Sequence, residues 1–272
     1  MCRCLKVSPS GYYAWRSRPE SARARRNSDL LETIRRVHDE SDGVFGSPRV
    51  YEELCYQGEK CSQNRVARLM RAAGLRGIPQ RRRWLRKTPG VRPTDVENLL
   101  QRNFEADEPN SKWVTDITYI RTGEGWLYLA VVIDLHRRIV VGWSMSHRQN
   151  RELVLRAVLM ALWQRNEDTP VILHSDRGTQ FTSDDYQQFL RGHDLICSMS
   201  DVGTCADNAA VESFFGILKR ERVNRRHYAT RTQARADIFD YIERFHNPAM
   251  RRKIEASKLD KEPLTQPSTE SG

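Results

Sequence analysis

The sequence predicts an α/β domain, a mixed five-stranded sheet with flanking helices, preceded by a small basic helical region. Three observations predict it. From Ser111 onward, β-rich and helical stretches follow one another in the order β-β-β-α-β-α-β-α-α, which requires a sheet with helices on its faces. Residues 28–77 carry helical periodicity punctuated by Ser, Pro and Gly. Between them, Pro79, Pro89, Pro93 and Pro109 interrupt any regular structure and mark a linker over 78–110.

The helical region, residues 1–77, reads as follows. Ser28 is a candidate N-cap for DLLETIRRVHDE, with Leu30, Leu31, Ile34 and Val37 on one face. Ser47 caps SPRVYEELCYQG, Pro48 suits the first helical position and Gly58 the stop. Ser62 opens QNRVARLMRAAG, closed by Gly74. Two short helices with a tight link resemble a helix-turn-helix unit. The second places Asn64, Arg68 and Arg71 on one polar stripe, with Arg65 beside it. That stripe suits DNA and equally suits a solvated helix face.

Charge separates the two halves. Of the 45 Lys and Arg residues and the 35 Asp and Glu residues, 21 and 11 lie in residues 1–100, so the net charge of +10 sits entirely there. Such a confined surplus points to a polyanion partner, since phosphate contacts release counterions. The linker run RRRWLRK interleaves Arg81, Arg82 and Arg83 with Trp84, a pattern that can track a backbone and stack a base. Six cysteines form no CxxC pair and no zinc spacing. With no signal peptide and no run of membrane length, the expectation is a reduced, cytoplasmic protein, not a membrane one.

The sheet region, residues 111–250, follows. KWVTDITYI alternates and is a strand. GWLYLAVVIDL is nearly continuous apolar, hence buried on both faces. RRIVVGWSMS is the third, and short turns make all three antiparallel neighbours. NRELVLRAVLMALWQR is a helix, VILHSD a strand, SDDYQQFLRGH a helix and ICSMS a strand. DNAAVESFFGILKRERV and TRTQARADIFDYIERF are two more helices, and residues 251–272 are read as a polar tail. Trp113 and Trp126 are read as core rather than base-stacking.

Three acids are misplaced for ordinary packing. Asp116 sits mid-strand, Asp176 ends an apolar strand, and Glu212 lies among Phe214, Phe215, Ile217 and Leu218. Burying a lone charge costs several kcal/mol, on the order of the desolvation of a carboxylate, and gathered carboxylates repel unless a cation lies between them. Mg²⁺ or Mn²⁺, hard cations that take oxygen ligands, meet that need. Asp134, ending the second strand, is better read as structural. His174, Ser175 and Asp176 cannot form a hydrolase relay, because adjacent strand residues face opposite ways.

The segments WVTDITY (113–119), HSDRGTQF (174–181) and DNAAVESFFGILK (207–219), in this order and with thirty-five residues between Asp176 and Glu212, resemble insertion-sequence transposases related to retroviral integrases. More narrowly they resemble the second-frame protein of the insertion sequence three family. The resemblance runs from about residue 1 to 247. It implies an RNase H-like integrase core with Asp116, Asp176 and Glu212 as catalytic carboxylates holding two divalent ions. It implies cleavage and strand transfer at element ends in double-stranded DNA, by a homo-oligomer in the nucleoid, with an upstream-frame partner joined by frameshifting. Lys219 lies two helical turns after Glu212, where the family has a basic residue, and Gln180 and Asn208 match its motifs as DNA-positioning or helix-capping groups. The chain departs from its relatives after residue 245, where FHNPAMRRKIEASKL replaces an Arg-His-Ser-rich ending. That departure leaves open an inactive DNA-binding remnant or regulator, and the shared chemistry leaves open a nuclease for RNA–DNA hybrids.

Overall fold

The computed structural model describes residues 8–79, 96–101, 103–165, 169–178, 180–200 and 208–259. The chain divides into two compact units, Met1–Arg81 and Arg82–Gly272.

In the first unit, helices α1 (Pro9–Arg16), α2 (Ala22–Glu40), α3 (Ser47–Tyr56) and α4 (Gln63–Ala72) follow one another. α2 begins before Ser28, at Ser21, whose hydroxyl accepts from the Ala24 N–H. The Ala- and Arg-rich stretch between the two serines favours helix and contains no breaker, so the earlier cap takes over. The other punctuation stands where the sequence places it, except at the start of α3: Gly46, not Ser47, is the N-cap, which puts Pro48 at the second helical position instead of the first. Gly58 (φ 82°) ends α3 while the Glu59 N–H reaches the Leu54 carbonyl at 2.9 Å. Gly74 (φ 71°) ends α4 with Leu75 N–H on Met70 at 2.9 Å. Both are left-handed closures that glycine adopts without strain. Leu30, Ile34, Val37, Val50, Leu54, Val66 and Met70 form the core of this unit.

The second unit is built on five strands, β1 (Lys112–Thr122), β2 (Gly125–Asp134), β3 (Ile139–Ser146), β4 (Val171–Ser175) and β5 (Leu195–Met199). Their order across the sheet is β3-β2-β1-β4-β5. β1, β2 and β3 pair antiparallel, whereas β4 runs parallel to β1, and β5 to β4. The expected mixed sheet and element order are both present. Helices α5 (Arg151–Trp163) and α6 (Asp184–Arg191) cover one face, packing on Trp113, Ala130, Val132 and Val141. Helices α7 (Ala209–Glu221) and α8 (Arg231–Asp240) cover the other, on Val114, Leu129, Val131 and Ile133.

Two details of packing are tight. A Cβ on Gly142 of β3 would fall 2.1 Å from the Ala157 carbonyl oxygen of α5, so the helix lies directly on the strand backbone. α8 runs into a π-helical turn at Tyr241–His246 and then α9 (Asn247–Leu259). Pro248, in the first turn of α9, lacks an N–H, and the widened turn accommodates the missing bond. The sequence reading ends the core at residue 250, but α9 continues through Leu259.

Candidate active site

Alternation along β1 decides which way its acid faces. Val114 and Ile120 belong to the core under α7, Trp113 to the opposite one. Asp116 shares the parity of Val114, so it faces the α7 side. It is half-buried, and its Oδ1 accepts the Ile117 N–H at 2.7 Å.

Asp176 is the first residue after β4 and is exposed. Val114 of β1 stands in register with His174 of β4. Two residues further along each parallel chain come Asp116 and Asp176. The Asp176 Oδ1 accepts the Gly178 N–H at 2.9 Å and pins the turn that follows. A Cβ at residue 178 would lie 2.9 Å from both Asp176 Oδ1 and Gln180 Oε1, so the turn admits only glycine without a shift. Gln180 is half-buried beside it.

The third acid is delivered by α7. Val211, Phe214, Phe215 and Leu218 anchor that helix to the sheet. At its start Asn208, only 4% exposed, donates through Nδ2 to the Thr115 carbonyl at 3.3 Å, one residue from Asp116. Asn208 occupies the N-cap position without making a side-chain cap bond, so its amide is committed to β1. Glu212 follows one turn later, in the first turn of α7 and half-buried. Among the described residues, no three His, Cys, Asp or Glu side chains close into a metal-holding group.

The end of β4 is held by a network that sequence reasoning missed. His174 is fully buried, with Nδ1 2.8 Å from Ser198 Oγ and Nε2 3.2 Å from Ser200 Oγ. Ser198 also accepts the Leu99 N–H, and Arg177 Nε donates to the Ser200 carbonyl at 2.7 Å. A histidine two residues before the acid was the available signal. Glu221 was missed as well; it is buried at the end of α7 and accepts the Tyr241 hydroxyl at 2.9 Å. Asp134 is fully buried at the end of β2, its Oδ1 accepting the His136 N–H and its Oδ2 3.8 Å from Arg137. Burial pushes its carboxyl above the usual range, offset in part by those two partners.

Lys219 places its ammonium 4.7 Å over the ring of Tyr119. That ring meets Trp126 edge to face at 5.1 Å. Trp113 is buried as the sequence reading expects, but Trp126 is 46% exposed, a correction. The β1–β2 hairpin runs past its neighbours: β4 pairs with β1 only over Lys112–Val114, and β3 with β2 only from Tyr128 onward.

In the first unit, Asn64, Arg68 and Arg71 of α4 are exposed on one stripe. Arg65 is half-buried and donates through Nε to Asn27 Oδ1 at 2.9 Å. Arg81, Arg82 and Arg83 lie outside the described residues.

Known families match this layout. An integrase core domain model matches residues 106–205, a second integrase core model residues 212–258, and an HTH-like domain model residues 25–83. Transposase InsF for insertion sequence IS3A of Escherichia coli (strain K12) is 44% identical over 249 residues, covering 91% of this chain and 86% of that protein. The chain belongs to the IS3 family of insertion-sequence transposases. The insertion element IS600 uncharacterized 31 kDa protein of Shigella sonnei is 37% identical over 248 residues, covering 91% of each. Among solved structures, the HTLV-2 integrase catalytic core domain in complex with magnesium aligns with a TM-score of 0.36 and 23% identity, over 42% of this chain and 71% of that one. The transposase thus combines an integrase-type core with an HTH-like DNA-binding domain and acts in DNA transposition. Among its described residues no helix is long and apolar enough to cross a membrane.

Proposed function

We propose that this transposase cuts and joins DNA strands with Asp116, Asp176 and Glu212 as its catalytic carboxylates. The observation that carries the reading is that Asp116 lies in β1 and Asp176 directly follows β4, its parallel neighbour, with the start of α7 tied to β1 one residue from Asp116. An all-oxygen donor set from three carboxylates fits Mg²⁺ or Mn²⁺. Two ions would leave the three carboxylates with a net charge of about +1, which an incoming phosphate of the DNA neutralises. When bound, such ions supply activation of the attacking oxygen and stabilisation of the leaving one.

In the first reaction a water oxygen forms a bond to the scissile phosphorus at the element end, and the bond from phosphorus to the 3′ oxygen breaks. In the second, the freed 3′-hydroxyl attacks a phosphodiester of the target and displaces its 3′ oxygen. No protein nucleophile is required. Asp116 and Asp176 hold their place through the β1–β4 pairing, and Glu212 moves with α7. The Asn208 bond to Thr115 keeps that helix beside the strand. Lys219 offsets phosphate charge along the same helix, and Gln180 lines the turn after Asp176. Arg68 and Arg71, together with Arg81, Arg82 and Arg83, carry phosphate contacts from the basic half, and Arg65, held by Asn27, steadies the helix beside them. The working assembly on double-stranded DNA is a homo-oligomer in the nucleoid, extended by an upstream-frame partner.

Replacing Asp176 with Asn tests the reading. Mg²⁺-dependent nicking of a duplex carrying the element end is expected to fall at least about a hundredfold, the scale of losing one group that stabilises developing charge. Affinity for that duplex, measured by gel shift, stays within about twofold, since one exposed side chain adds little to a phosphate-dominated interface. Nicking at the wild-type rate would remove Asp176 from the site.

A further inference from the structure

The hairpin that carries Asp116 presents an aromatic pair at its far end, on the face of β1 opposite Asp116 and beside the β1 edge that β4 leaves unpaired beyond Val114. Tyr119 is 57% and Trp126 46% exposed, with ring centroids 5.1 Å apart in an edge-to-face arrangement. Tyr119 lies across from Tyr128, so Trp126 is its diagonal neighbour on the same face, and Arg121 lies directly across from Trp126. Two exposed aromatic rings in contact make an apolar patch, and such patches mark sites where something binds. The surroundings say what. Lys219 stands over Tyr119, Arg121 is exposed, and Arg231 clamps the hairpin by donating to the carbonyls of Trp126 and Glu124. Cations around two rings on a rigid hairpin match a nucleotide, whose base has a π-face and whose phosphate is anionic.

We propose that Tyr119 and Trp126 form a stacking platform for an unpaired base of the DNA strand being cut, with Lys219 against its phosphate. This rests on the catalytic reading of Glu212. Lys219 follows Glu212 by seven helical residues, a rise of about 10 Å. Stacked nucleotides advance about 3.4 Å each along a strand, so the platform takes the base two or three nucleotides from the reacting phosphate. Holding that base out of the duplex opens the end and frees the scissile phosphate to reach the acids.

The test uses the full chain and a duplex carrying the element's terminal repeat, with 2-aminopurine two or three nucleotides from the cut. Wild-type protein is expected to quench the 2-aminopurine on binding, and Tyr119→Phe to do the same. The doubly substituted Tyr119→Ala, Trp126→Ala protein, checked for an unchanged melting temperature, is expected to lose the quench. It should also nick the paired end about tenfold more slowly, the factor that one stacked base is worth. On an end opened beforehand by mismatches the deficit should shrink. Quenching and nicking at wild-type levels in the double variant would overturn the platform. So would unchanged quenching accompanied by altered sedimentation, which would make this face a contact between copies. Asp176→Asn separates the two ideas: it should quench normally and not nick, and if it nicks, the catalytic reading fails on its own.

Discussion

Asp116 in β1 and Asp176, just past the end of β4, each lie two residues beyond Val114 and His174, the last registered pair of these two parallel strands. Two carboxylates drawn together at the ends of adjoining strands repel unless a cation joins them.

That repulsion can be measured without catalysis. Mg²⁺ should raise the melting temperature of the wild-type transposase by several degrees, since ligand at about a hundred times its Kd adds about 2.7 kcal/mol. Asp116→Asn and Asp176→Asn should each melt higher than wild type in EDTA and gain less from Mg²⁺. Equal gains in all three proteins, followed by calorimetry, would argue against a shared site.

The amide of Asn208 ties α7 to β1 at the Thr115 carbonyl. Asn208→Ala removes that bond, a loss of about 1 kcal/mol. The expected outcome is a melting temperature lower by about 2–4 °C, and nicking that slows by more than this stability change explains, because Glu212 rides on the same helix. Full activity with lowered stability would make the bond purely structural.

Gly142 leaves no room for a side chain, because a Cβ there would lie 2.1 Å from the Ala157 carbonyl and 2.8 Å from the Ala161 nitrogen, both backbone atoms of α5. Gly142→Ala should therefore cost at least about 2 kcal/mol, as overpacking against backbone does. Urea denaturation reads the loss directly.

Burial raises the Asp134 carboxyl above its ordinary value of 3.8. A carboxyl that binds its proton more tightly when folded contributes stability that is fully present below its unfolded pKa and lost as pH rises through the folded one. Wild type should therefore lose stability relative to Asp134→Asn as pH climbs from about 4 toward neutrality. Parallel stability curves for the two proteins over that range would count against the buried charge.

Arg68 and Arg71 are exposed on one stripe of α4, whereas Arg65 already donates to Asn27. Arg68→Ala and Arg71→Ala should each reduce the salt slope of DNA binding by about one, as loss of one phosphate contact does. Arg65→Ala should instead lower thermal stability with a smaller change in slope. Fluorescence anisotropy over a range of salt separates these outcomes.

Much of this molecule is written locally. The glycine stops at Gly58 and Gly74 and the cap at Ser62 need only neighbours a few residues away, and all three stand where the sequence reading puts them. The first start of α2 was misread because two serines competed, and the helix propensity of the residues between them decided for Ser21. The three candidate acids stand out in the sequence because a charge in an apolar or strand-end setting contradicts its own surroundings.

What lies beyond a few residues was not readable. Asp116 and Asp176 are sixty residues apart in the chain, and only the insertion of β1 between β2 and β4 makes them neighbours. Trp113 and Trp126 both sit in apolar strands, yet one is buried and the other exposed. Alternation assigns a side chain to a face, but the length of the neighbouring strands decides whether that face is covered. The sequence by itself determined the elements, their punctuation and the chemical type of the candidate acids, because those follow from short-range sterics and the cost of a misplaced charge. The tertiary structure alone decided which strands carry the candidate acids side by side, where the hairpin outruns its neighbouring strands and how His174 is held, because each depends on strand pairing between segments far apart in the chain.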